Sequence, residues 1–399
     1  MVALSLFERW LGRNCNSMHA GRRQALVKVL GALLRGGKAM LTDIGRHVSA
    51  GGYEKHGIKC ADRLLGNRLL HAERLDVYRA VAYWLLEQTP QPWLIVDWSD
   101  VELGRRHRHL MLKAAVPVGG RALTIYEEVH PLKRFNNPKI HRRFLARLHA
   151  ILPAHCCPIV ITDAGFRGPW FEAVSALGWD WLGRVRNRVN YQLSGDERWR
   201  PLRSLYARAT RTPTYVGQGW LSSTQSYTCQ LHLYQDFKRG PGRPRKAARA
   251  KPNQRKKRLR AREPWVLATS LSTRHWSAKR VVRAYQKRMQ IEETFRDLKS
   301  HRWGYSLQYA HSRSTQRLEN LLLVTTLATL STWLVGLAAK GADLVKHFQA
   351  NTEKRWTVLS VFFVGRRIIK STVQWLTRKA IHDAGRALPQ IISAHSSFV

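Results

Sequence analysis

"YQKRMQIEETFRDLK", residues 285–299, sets two adjacent glutamates among four cations, in a chain that holds 68 Lys+Arg against 26 Asp+Glu. No Gly or Pro interrupts residues 277–303, so the segment predicts a helix. At about 100° per residue, Tyr285, Arg288, Glu292 and Lys299 fall within an arc of about 60°. Ala284, Ile291, Phe295 and Leu298 form a neighbouring apolar stripe that would seat the helix on a core. Glu293 points away from that arc, so the periodicity singles out Glu292, which shares a face with an aromatic ring and two cations. Taken alone, such a face also fits an exposed helix laced with ordinary ion pairs.

Two further acids decide between these readings. Asp97 ends the apolar run Leu94-Ile95-Val96, and Asp163 follows Ile159-Val160-Ile161-Thr162. A carboxylate at the end of a central strand is costly to bury unless it is paired or bound to metal. Either aspartate by itself reads equally as a turn or cap residue. The two together with Glu292 suggest one acidic site of hard oxygen donors, suited to Mg2+. Two such ions, about 3.5–4 Å apart, can activate a water or a 3′-hydroxyl and stabilise the leaving oxygen of a phosphodiester. Mn2+ would substitute. Arg288 and Lys299 would then hold DNA phosphates beside the acids.

The elements around these acids alternate. "PWLIVDWSD" reads as a buried strand. "HLMLKAAVPV" and "ALTIYEEV" flank Gly119-Gly120 as a hairpin. "NPKIHRRFLARLHAIL" reads as a helix, "CPIVITDAGF" as a strand, "GPWFEAVSALG" as a helix and "WDWLGRVR" as a strand. That order is an α/β layer with a mixed sheet. Residues 1–90 read as helices, either a helix-turn-helix-like DNA reader or a plain bundle with a solvated basic face. Residues 186–270 hold short β-like runs, and inside them lies "KRGPGRPRKAARAKPNQRKKRLRAR", 238–262, with 13 Lys or Arg in 25 positions and no acid. Such a block pairs readily with phosphates. The domains expected are therefore a helical DNA-binding domain at 1–90, the first part of a catalytic core at 91–185, a β-rich insertion at 186–270, core helices at 271–339 and a helical C-terminal region at 340–399 serving dimerisation.

Composition narrows the function classes. The chain has 399 residues, 44% of them hydrophobic, and a formal charge of +42. It can bury a core, and its charge asks for a polyanionic partner, nucleic acid before a ribosomal assembly or an anionic membrane surface. Five cysteines without a C-x-x-C pair argue for a reducing cytosol and against a zinc module. The N-terminus shows no signal-peptide pattern. Leu321 to Ala339 carries no charge and is long enough to span a membrane. Its five hydroxyl residues favour a buried core helix, with no membrane as partner.

The pattern Y285-x2-R288-x3-E292-x6-K299, preceded by "VDWSD", "TDAGF" and "EPWVLAT", resembles the YREK signature of bacterial insertion-sequence transposases of the DDE cut-and-paste class. The resemblance runs through most of the chain. It implies a ribonuclease-H-like core with Asp97 on the first strand, Asp163 on the fourth and Glu292 on a later helix, as catalytic and metal-holding acids. It implies double-stranded DNA as substrate, both element-end inverted repeats and target, with a homodimer in the synaptic complex, in the cytoplasm at the nucleoid. It further implies a hairpin intermediate with a flipped base, Trp265 stacking on that base and Met289 filling its gap. A nuclease of the same fold without strand transfer, and a DNA-binding protein that has lost catalysis, are the alternatives. The long basic block at 238–262 departs from the family pattern.

Overall fold

The computed structural model describes residues 2–48, 52–101, 109–186, 189–222, 227–236, 263–350, 352, 357–371, 373 and 375–397. The basic stretch 238–262, read as pairing with phosphates, lies outside the described residues. Contacts divide the chain into two units, 1–156 with 289–398, and 157–288. The fold is mixed α/β.

In the first unit, five helices come first: α1 (Val2–Asn14), α2 (Ala20–Gly36), α3 (Leu41–Val48), α4 (Glu54–Leu65) and α5 (Arg68–Leu86). Their boundaries follow local chemistry. Gly37 closes α2 in the left-handed conformation, its N–H donating to Leu33, and Asn67 caps α5 by accepting from the Leu70 amide at 2.8 Å. Three antiparallel strands follow, β1 (Trp93–Asp100), β2 (His109–Pro117) and β3 (Ala122–Pro131). Gly119 and Gly120 sit at φ +89° and +79°, the backbone a two-residue hairpin demands, so the predicted hairpin forms there.

Both faces of this three-stranded layer are covered. Trp98 and Glu128 face α6 (Pro138–Ile151): the Trp98 indole donates to His141 at 3.2 Å and Arg147 donates to Glu128 at 2.8 Å. Asp97, Lys113 and Glu127 lie in cross-strand register on the other face, Asp97 opposite Lys113 and Lys113 opposite Glu127. That face meets α9 (Met289–Lys299) and α10 (Thr315–Gly341). Helices α11 (Val361–Ile369) and α12 (Arg378–Ser396) pack on α10 and complete the unit.

Helix α10 contains the uncharged stretch whose length could cross a membrane. It is a core helix: 94% of its most apolar window is buried inside the protein. Its hydroxyls are accommodated by its own backbone. Thr325, Thr329, Ser331 and Thr332 each donate to a carbonyl three or four residues earlier, all at 2.8 Å. Thr326 instead donates to Glu127 at 2.5 Å.

In the second unit β4 (Ile159–Thr162) runs parallel to β5 (Asp180–Val185), joined by α7 (Gly168–Ser175) as parallel strands require. The sheet continues antiparallel from β5 through β10 (Trp265–Thr269), β9 (Tyr227–Tyr234), β8 (Thr214–Leu221) and β6 (Asn190–Leu193) to the short β7 (Arg200–Pro201). Helix α8 (Ala278–Lys287) packs on β5, β8 and β9.

One expectation changes. The helix read as continuous through 285–299 is two helices, α8 and α9, separated at Arg288. The Arg288 N–H donates to Tyr285 O at 3.0 Å, an i to i−3 bond that tightens the chain into a turn without Gly or Pro.

Candidate active site

In the first unit, Asp97 is half-buried on β1, where its Oδ1 accepts from the Trp98 amide at 2.8 Å. Glu292 is exposed in the first turn of α9, the end of a helix that favours a carboxylate. The apolar stripe holds within α9: Ile291, Phe295 and Leu298 are buried. Lys299, seven residues after Glu292 and so on the same face of α9, reaches back to β1, donating from Nζ to Ser99 Oγ at 2.7 Å. Its ammonium is pushed below the usual lysine range, first by burial and also by Lys113, while Asp100 and Asp97 pull it back up. Lys299 is thus a partly buried cation within the field of Asp97.

Under Asp97 lies a feature the sequence reading passed over. Lys113 is fully buried, its Nζ 2.7 Å from Glu127 Oε2 and donating to Thr124 Oγ1 at 3.0 Å, with the Phe295 ring centroid 5.9 Å away. A directly opposed pair in an antiparallel ladder puts the Asp97 and Lys113 Cβ atoms about 5 Å apart. The signal was present, since "HLMLKAAVPV" sets one cation in an otherwise apolar strand, but no periodicity says which acid that cation will meet.

Helix α9 is fixed from the hairpin tip. Arg121 Nε donates to Asp297 Oδ2 at 2.5 Å, and Arg121 Nη1 lies 3.6 Å from Glu293 Oε2. Thr294 Oγ1 accepts from the Ala122 amide at 2.9 Å and donates to its carbonyl at 2.8 Å. Glu293 also pairs with Arg296. The second glutamate of the opening segment is therefore engaged in holding the helix, while Glu292 projects from it.

In the second unit Asp163 is half-buried just past β4, its Oδ1 accepting from the Gly165 amide at 2.8 Å in a tight turn. Tyr285 is 4% exposed, with its ring centroid 5.0 Å from that of Trp265 in a T-shaped contact. Burial raises its phenol, Arg288 and Arg184 lower it, and Asp163 raises it, which places these charges around the ring. Arg288 stands 6.0 Å from the Tyr285 centroid. Trp265, 8% exposed, also meets Tyr234 edge-on at 5.6 Å, and Met289 is half-buried at the start of α9. Tyr285 and Trp265 thus form an aromatic core pair, where the periodicity had set Tyr285 on a polar face.

The three acids are divided between units: Asp97 and Glu292 in the first, Asp163 in the second. Among the described residues no three His, Cys, Asp or Glu side chains form a ready-made metal cluster. The donor set is nonetheless chemically apt, since three carboxylates and no thiol or imidazole match a hard divalent cation. The family model for a transposase DDE domain matches residues 88–330, a span that contains all eight candidate residues. No curated protein matches the chain.

Proposed function

The chain belongs to the transposase DDE family, and on that premise we propose that it is the cut-and-paste transposase of a bacterial insertion sequence, acting on DNA in the cytoplasm. The proposed core is ribonuclease-H-like, with Asp97, Asp163 and Glu292 holding two Mg2+ ions, for which Mn2+ would substitute. The observation that carries this reading is the pairing, inside the family-matched span, of a strand-borne acid with a helix-borne acid and cation: Asp97 on β1, and Glu292 with Lys299 on one face of α9.

The bound ions would lower the pKa of a water or 3′-hydroxyl and offset charge on the leaving oxygen. Lys299 neutralises a phosphate next to the acids and keeps the scissile bond in register. Arg288 does the same from the end of α8. In cleavage, a water oxygen bonds to phosphorus as the 3′ oxygen leaves. In hairpin formation that freed 3′-hydroxyl bonds to a phosphorus of the opposite strand as the 3′ oxygen of the flanking DNA leaves. A water oxygen then bonds to the hairpin phosphorus and the 3′-hydroxyl is released again. In strand transfer that 3′-hydroxyl bonds to a phosphorus of target DNA as the target's own 3′ oxygen leaves. Trp265 receives a flipped base and Met289 fills its place, which requires Trp265 to part from Tyr234 and Tyr285. Tyr285, buried beneath Trp265, would come into DNA contact at that moment.

The N-terminal helices are proposed to read the terminal inverted repeats. Supporting this, α4 exposes Lys55, His56, Lys59 and Arg63, and a 610 Å³ cleft beside it is lined by His19 and Arg22 as well. Two protomers would bring two ends together in a synaptic complex, with residues 340–399 proposed for dimerisation.

The test uses purified protein and duplex oligonucleotides carrying the element ends. Asp97→Ala, Asp163→Ala and Glu292→Ala should each lose Mg2+-dependent cleavage at least 100-fold, on the order expected for removing a charge-stabilising group, with end binding retained. Full activity in any one of the three would overturn the site. Cleavage with no joined product in the wild type would favour the plain nuclease.

A further inference from the structure

Trp303 is 52% exposed, the only tryptophan among the described residues that stands out in solvent this way. Its backbone is nonetheless held hard. Gly304 packs so close to α9 that an added Cβ would overlap the Asp297 carbonyl oxygen. Gly304 N–H donates to Ser300 O at 3.0 Å and Tyr305 N–H to Asp297 O at 3.0 Å. Tyr305 is buried, its hydroxyl 2.7 Å from Thr332 Oγ1, and Arg366 donates to Gly304 O from the far side. A large aromatic ring is thus presented to water from a pinned loop, with an apolar face available for stacking.

The surroundings are cationic. The Arg302 guanidinium stands 4.8 Å from the Trp303 ring centroid, and Phe363 of α11 supports the ring at 5.7 Å. Arg367, exposed, follows Phe363 by four residues and so shares its side of α11, and Lys370, also largely exposed, caps that helix with its ammonium near Gly37. Lys370 is lowered by burial and by Arg366, Lys38 and Arg367, and raised by Asp43. Neither 300–314 nor 357–373 contains an Asp or Glu.

We infer that Trp303, flanked by Arg302, Arg367 and Lys370, is a stacking platform for an unpaired DNA base, with the cations holding the phosphates on either side of it. The inference rests on the DNA-binding reading above but uses none of its eight candidate residues. A planar ring accepts the face of any base, and adjacent cations track the backbone, so the site takes single-stranded or distorted DNA without sequence preference. A fully paired duplex offers no free base face and would not use it.

The test is a titration of a single-stranded 20-nucleotide oligonucleotide carrying 2-aminopurine, in EDTA so that no cleavage occurs, beside a duplex of the same sequence. Trp303→Ala should weaken single-strand binding about tenfold and abolish quenching of the 2-aminopurine, with duplex binding unchanged. Trp303→Phe should stay within about twofold of wild type, and thermal melting of both variants should match wild type because the ring is exposed. Equal loss on duplex and single strand, unchanged quenching in Trp303→Ala, or a changed oligomeric state in that variant would each overturn the platform. A wild-type protein that binds neither DNA would instead sink the wider reading.

Discussion

Arg121 at the tip of the β2–β3 hairpin forms a 2.5 Å ion pair with Asp297 on α9, four residues from Glu293, which the same guanidinium also approaches. Asp297 is buried, and burial raises its carboxyl even against the pull of Arg121. The pair ties the hairpin whose first strand, β2, lies opposite Asp97 to the helix that bears Glu292. Arg121→Gln should therefore cost about 2 kcal/mol of stability and let α9 shift. Below the melting temperature, Mn2+ binding followed by electron paramagnetic resonance should weaken several-fold in that variant while end binding persists. The swap Arg121→Asp with Asp297→Arg should restore part of both. Unchanged metal affinity with a lowered melting point would leave the pair a stability element only.

Glu292 and Glu293 are neighbours with different partners. Glu293→Gln loses ion pairs to Arg121 and Arg296, one of them largely solvated, so it should lower the melting temperature by a degree or two, as a loss of about 0.5 kcal/mol implies. Cleavage should fall less than about fivefold, against at least 100-fold for Glu292→Ala. Equal loss at both positions would mean that α9 is oriented differently on DNA.

Lys299 supplies a pH test. Its ammonium is lowered by burial, so the charge is lost, as pH rises, before an ordinary lysine would lose it. The cost of burying that charge is likewise present at low pH and relieved as pH climbs toward the unfolded value. End binding by wild type should thus decline in the alkaline range, and Lys299→Arg, whose guanidinium stays charged, should shift that decline to higher pH. Superimposable binding profiles would remove Lys299 from the phosphate contact.

Glu128 governs acid stability. Burial pushes this carboxyl up, but hydrogen bonds from His130, Tyr126 and Arg147 outweigh it and bring it down to about 2. A carboxyl lowered in the fold contributes stability above its unfolded value, near 4.5, and loses it as pH falls from there toward about 2. Glu128→Gln should melt lower than wild type at neutral pH, and the two curves should converge between those limits on acidification. A gap that persists at pH 2 would assign the loss to packing.

The Tyr285–Trp265 contact predicts an order of events. Tyr285→Phe keeps the ring pair and should leave first-strand nicking within about twofold, whereas Trp265→Ala should reduce hairpin product more than nicking, in line with the energy of one base stack. Normal hairpin yield from Trp265→Ala, read on a denaturing gel, would return that tryptophan to a packing role.

How much of this was legible beforehand depends on the kind of information each feature carries. Asp163 could be placed just past a strand because a short apolar run closed by an acid is a local pattern, whereas the strand read as ending at Asp97 runs on to Asp100 and carries Asp97 within it. The hairpin at Gly119-Gly120 and the stripe Ile291, Phe295 and Leu298 are equally local, each set by backbone preference or a short period. The break at Arg288 was not legible, because it arises from one rerouted hydrogen bond and no Gly or Pro marks it. Lys113, Arg121 and the burial of Tyr285 were hidden for a deeper reason, as each is defined by a partner distant in sequence: Glu127 across a strand, Asp297 176 positions away, Trp265 in another element.

The amino-acid sequence by itself determined the acids, their order, the elements that bear them and the cationic character that calls for DNA. The tertiary structure alone decided which cation stands beside which acid, which glutamate of the adjacent pair clamps α9, and which tryptophan faces solvent. The physical reason is that propensity and periodicity act over a few residues, whereas charge pairing and burial depend on distances that only the folded chain defines.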